Sequence, residues 1–117
     1  MFRFIIALCA VATPGFADDA VVESVNTRAD GTGWSFSVTL RHDDTGWDDY
    51  ADGWRIEDAD GNILGTRVLH HPHVNEQPFT RSLSGVDVPE ELKQVYIRAR
   101  TSTTDWSTSR VVFDLVP

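Results

Sequence analysis

Cysteine is nearly absent from this 117-residue chain, with Cys9 its only representative. A lone thiol excludes an internal disulfide framework and a thiolate zinc site. Methionine occurs only as Met1, so a soft Cu(I) site built on thioethers is excluded too. No apolar run reaches the roughly 20 residues that a membrane-spanning helix requires. Basic charge is scarce: 10 Lys and Arg stand against 18 Asp and Glu, for a formal net charge of -8. Phosphate backbones and anionic lipid surfaces repel such a chain, which disfavours nucleic-acid and membrane-surface binding and leaves cations, sugars and basic proteins as partners.

What is present begins with an address. Arg3, the apolar run from Phe4 to Val11 and Pro14-Gly15-Phe16-Ala17 precede the acidic Asp18-Asp19. This is the plan of a secretory signal peptide cleaved after Ala17, which predicts a leader over 1–17, a domain over 18–117 and a periplasmic or secreted location. Leu8, directly before Cys9, lacks the small side chain that a lipid-attachment site would want. The remaining length of about 100 residues suits one compact domain with one core, expected to be monomeric and not inserted in a membrane once the leader is removed.

Along 18–117 the hydrophobic period is close to two. Trp34, Phe36, Val38 and Leu40 alternate with Ser35, Ser37, Thr39 and Arg41, the pattern of a half-buried strand. Similar runs fall near 19–28, 54–58, 62–70, 79–86, 94–101 and 109–116, predicting an all-β, about seven-stranded antiparallel sandwich. Asp30-Gly31-Thr32-Gly33 and Asp60-Gly61 are hairpin signals, and Pro89-Glu90-Glu91-Leu92 suits a single turn at a crossover between sheets. With Trp54 early in the third strand and Val95, Ile97 and Ala99 on the core side of the sixth, the chain resembles immunoglobulin-like and fibronectin type III-like sandwiches. That resemblance implies a fold and no activity. The stretches 46–54, 71–73 and 76–83 also look like a group of small exported bacterial proteins of unassigned function.

Strand parity places the loops 42–53, 71–78 and 101–108 at one end of such a sandwich. All four histidines would then gather there with Trp47, Tyr50 and Trp106. His71 and His73 flank Pro72, and extended residues two apart project to one face, so both imidazoles are candidate ligands for one ion. His42, at the rim end of its strand, is the expected third nitrogen. His70 points the other way and packs or completes the set, and Glu76, Asp43 or Asp105 adds an oxygen. Such a set suits Cu(II) or Zn(II), and Ca(II) less well. The first functional reading is therefore a transition-metal rim used in metal handling or sensing.

The alternative is a non-catalytic module that binds a glycan or protein through Trp47, Tyr50 and Trp106, which lie among the acids of 43–52. Asp58-Ala59-Asp60-Gly61-Asn62 starts like an EF-hand, but Leu69 stands where the bidentate acid belongs, so a turn is expected instead. There is no nucleophile loop or phosphate cradle, and Asp48 and Asp49 are adjacent, so an enzyme is not expected.

Overall fold

A computed structural model of the chain describes residues 18–31 and 33–115; the expected leader over 1–17 lies outside the described residues. Among the described residues eight strands follow in order: β1 (Val21–Asp30), β2 (Gly33–Arg41), β3 (Ala51–Glu57), β4 (Ile63–Val68), β5 (Phe79–Val86), β6 (Gln94–Thr101), β7 (Asp105–Trp106) and β8 (Val111–Asp114). They form two antiparallel sheets, β1-β2-β5 and β4-β3-β6-β7, with β8 also paired to β6. Among the described residues there is no helix, and Leu92 N–H donates to the Pro89 carbonyl (3.0 Å) in the expected turn between the sheets.

The period-two pattern decides what is buried. Phe36, Val38 and Leu40 of β2, Trp54 and Ile56 of β3, and Val95, Ile97 and Ala99 of β6 point inward, joined by Phe79 and Val86 of β5. Their alternate neighbours face out and pair across strands, as in Ser37 with Ser82 and Thr39 with Thr80 at 2.7 Å each.

The sequence reading and the structure differ just ahead of the last strand. The run over 109–116 is β8, paired with Gln94 to Ile97, while the expected loop 101–108 holds an additional short strand, β7, paired with Arg100 and Thr101. Asp105 sits at φ 67°, in the left-handed region, and reverses the chain there. Trp106 thereby becomes a strand residue opposite Arg100 rather than a loop residue.

On the outer face of the second sheet Arg55, Arg98 and Arg110 converge on one acid. Glu57 is fully buried and accepts from Arg55 Nε (2.7 Å), Arg98 Nε (2.8 Å) and Arg110 Nη1 (3.1 Å). Burial alone would raise its pKa, but hydrogen bonds from the three guanidiniums outweigh it and hold the carboxyl down at about 2. Arg55 also covers Trp106, with its Cζ 4.0 Å from the ring centroid, and Arg110 covers Tyr96 at 4.1 Å. Arginine and aromatic side chains thus form a continuous layer over the sheet.

Candidate functional site

The three expected loops do meet at one end, and Asp44 is the knot. Its buried carboxylate accepts from His42 Nδ1 (2.7 Å), Ala51 N–H (2.9 Å) and His73 N–H (2.7 Å), tying 42–50 to 69–78. Tyr50 and Ser102 exchange two hydrogen bonds, and Thr103 Oγ1 donates to Asp49 Oδ1 (2.9 Å), which brings in the third loop. Gln77 locks the rim from the far side, accepting from His42 N–H (2.9 Å) and donating to the His73 carbonyl (3.0 Å).

The histidines lie close together without forming the expected ligand set. His73 is buried and stacks on Phe79, with centroids 4.0 Å apart at 13°, and His71 tilts over its other face at 4.7 Å. Nitrogen lone pairs lie in the ring plane, and both His73 nitrogens are enclosed with no hydrogen-bond partner among the described residues. The pair therefore offers no open chelate. His42 is turned away from it, with Nδ1 on Asp44 and Nε2 facing the Asp18 carbonyl (3.1 Å). His70 is exposed on the outer-sheet side, and Glu76 is paired with Arg81 at 3.1 Å. Asp105, an alternative oxygen ligand, is tied to Arg100 at 2.9 Å, and Asp43 is exposed at the rim. Among the described residues no three His, Cys, Asp or Glu side chains come together as a metal-holding group. Asp58 likewise caps its own turn, accepting from Asp60 N–H, Asn62 N–H and Asn62 Nδ2 at 2.8 to 2.9 Å.

Burial of the His73 ring, helped by the Arg81 and His71 charges, lowers its pKa below the ordinary value, against weaker opposing effects of Glu76 and Asp44. The native state therefore takes up this proton less readily than the unfolded chain. The resulting stability is fully present above the unfolded value of about 6.5 and is lost as pH falls through the depressed native value. Urea denaturation between pH 7 and pH 5 is expected to show falling stability, with a shallower slope in His73→Phe, which keeps the stack on Phe79; equal slopes would contradict this.

The aromatic residues fare differently. Trp47 is 68% exposed and packs edge-on against Tyr50, with centroids 5.5 Å apart at 74°. It closes nothing. Tyr50 instead lines a cleft of about 380 Å³ with Asp52, Gly53, Val68, His70, Arg100 and Trp106. A register shift between Ala51 and Gly53 opens this cleft: the extra residue, Asp52, is re-aimed beside Arg100. Gly53 forms the floor, where a Cβ would lie 3.3 Å from the Arg67 carbonyl and 4.0 Å from the tip of the Trp106 ring. Asp52 binds Arg100 through Oδ2, while its buried Oδ1 has no hydrogen-bond partner. Burial raises the Asp52 pKa against the lowering effect of Arg100, and nearby Asp105 adds to the rise.

The sequence reading named Tyr50, Trp106 and His70 as site residues and counted Asp52 only among the acids of 43–52, without joining it to Gly53 and Arg100. The bulge that assembles them has no sequence signal.

No family model matches the chain, and no solved structure matches it significantly. A protein of Halomicrobium mukohataei named "Putative lipoprotein" is 42% identical over 94 residues. The match covers 80% of this chain and 46% of that protein, so the chain spans about half the length of the curated relative it matches.

Proposed function

We propose that this chain is an exported, non-catalytic binding module that takes a glycan in the cleft on the outer face of its second sheet. One observation carries the reading: an indole, a phenol and the Asp52–Arg100 ion pair line one concave site of about 380 Å³. Sugars present an apolar CH face that packs on aromatic rings and hydroxyls that donate to carboxylates. Trp106 and Tyr50 supply the first contact, and the Asp52–Arg100 pair supplies the second. Arg100 is held between Asp52 and Asp105 and fixes the acceptor in place. Paired acid and base groups are not assembled there, since Asp105 is committed to Arg100, which favours binding over glycoside cleavage.

The expected leader and the printed name of the relative support a location outside the cytoplasm. The strand order supports a fibronectin type III-like variant of the sandwich, because β4 lies beside β3 rather than joining the first sheet as in constant-type immunoglobulin domains. Binding of the protein to a glycan array, repeated with Trp106→Ala, tests the proposal. A defined subset of glycans is expected to bind, and affinity should fall at least about 10-fold in the variant, which corresponds to about 1.4 kcal/mol. Identical array profiles for the two proteins would refute the reading.

A further inference from the structure

A second place at the rim has the makings of a cation site, and it lies on the opposite side of Asp44 from the stacked histidines. The His42 ring is buried, and its Nδ1 lies 2.7 Å from Asp44 Oδ1. Asp44 already accepts two backbone N–H groups, from Ala51 and His73, as a carboxylate does, so His42 Nδ1 is the donor of this contact. That assignment turns Nε2 outward. Among the described residues Nε2 meets two oxygens and no donor: the Asp18 carbonyl at 3.1 Å and Asp49 Oδ1 at 3.6 Å. A metal ion can fill this gap. A carboxylate holding one imidazole nitrogen while the other faces a ligand position is the recurrent second shell of histidine metal sites. Donor atoms bound at about 2.0 to 2.2 Å around one ion sit roughly 3 to 3.6 Å apart, which is the spacing seen here.

The surroundings favour a cation. The open notch above His42 is lined by Asp18, Asp19 and Asp43, while the neighbouring Arg41 is turned aside onto Glu23 at 2.6 Å. The chain start is also anchored. Ala20 is buried, Asp19 Oδ2 accepts from Ser107 Oγ (3.2 Å), and Val21 pairs with Arg41.

We propose that His42 Nε2, the Asp18 carbonyl and the Asp49 carboxylate bind a divalent transition-metal ion, completed by the amino group that export creates on Asp18 when the leader is cleaved after Ala17. The amine and carbonyl of one residue close a five-membered chelate, so export processing itself would finish the site. A set of two nitrogens and two oxygens without sulfur ranks Cu(II) ahead of Ni(II) and Zn(II). This site shares no ligand with the glycan cleft; it rests on the export part of the proposed function and not on glycan binding.

The test uses protein expressed with its own leader, purified after export and checked by intact mass for a terminus at Asp18. Cu(II) is titrated against a chromophoric chelator, and the complex is examined by electron paramagnetic resonance. One ion per chain and coupling to two nitrogens are expected. A Gly-Ser extension before Asp18 should remove one of the nitrogens. The extension and Asp49→Asn should each weaken binding by more than the roughly 10-fold that loss of even an outer-shell partner costs. The His71→Ala, His73→Ala double variant should bind as the parent does. A terminus other than Asp18, no specific Cu(II) uptake, insensitivity to the extension and to Asp49→Asn, or loss of binding in the double variant would each overturn the proposal. Asp49 is partly exposed, so its replacement is compatible with folding, and the extension leaves every side chain intact.

Discussion

Asp44→Ala is expected to lose about 3 to 5 kcal/mol of stability, the range found when one partner of a buried charged network is removed. Asp44 is fully buried in its side chain and serves three donors from two loops, at 2.7, 2.7 and 2.9 Å. The alanine variant leaves the His42 ring N–H and the amides of Ala51 and His73 without an acceptor in a place water does not reach. Each buried orphan costs more than the net worth of the bond it lost. For a domain of this size the midpoint of thermal unfolding should fall by on the order of 15 °C. Asp44→Asn should be milder, because its one remaining carbonyl oxygen can still accept. A shift below a few degrees for the alanine variant would mean that the rim loops are held by something other than this carboxylate.

Glu57→Gln is expected to be nearly as damaging and to leave a distinct pH signature. The carboxylate is fully buried beneath Arg55, Arg98 and Arg110, whose side chains keep only 19%, 20% and 23% of their exposure. Removing the anion leaves three guanidiniums facing a neutral amide. They retain some access to water, so the cost should be about 2 to 4 kcal/mol, slightly under that of a fully enclosed network. The pH dependence follows from the depressed pKa. With the folded value at about 2 against an ordinary 4.5, the stabilisation is fully present above about 4.5 and is lost as pH falls toward 2. A shift of that size corresponds to about 3 kcal/mol. Acid unfolding of the parent between pH 4.5 and 2 should therefore be steep and that of Glu57→Gln flatter. Parallel acid limbs would place the charge network outside the determinants of stability.

Much of the architecture was legible because period-two alternation and turn chemistry are local. Phe36, Val38 and Leu40 face the core as their spacing predicts, and so do Trp54, Val95, Ile97 and Ala99. Strand parity also carried far enough to bring the three loops to one rim. The limit came where geometry depends on one inserted residue or on ring orientation. His71 and His73 do project to one side, but His73 stacks on Phe79 and His71 tilts against His73 instead of both opening toward a shared ion. His42 reaches the rim as expected, yet Asp44 fixes its direction, and nothing in the sequence distinguishes Asp44 from the four other aspartates between 43 and 52. The cleft depends on a bulge at Asp52 and on the short strand β7, which sets Trp106 on the sheet opposite Arg100. Neither interrupts the hydrophobic pattern, so alternation alone could not reveal them. The Glu57 network has no local signal: Arg98 and Arg100 lie two apart on β6, and only the fold supplies Glu57 for the first and Asp52 and Asp105 for the second.

The most direct test of the cleft as a binding site is a chemical-shift titration of ¹⁵N-labelled protein with the glycan that binds best on the array. Perturbations should concentrate on the amides of Gly53, Val68, Leu69 and Arg100 and on the Trp106 indole N–H. Perturbations confined to the loop around Trp47 or to the β1-β2-β5 face, with Trp106 unmoved, would contradict the assignment of the site.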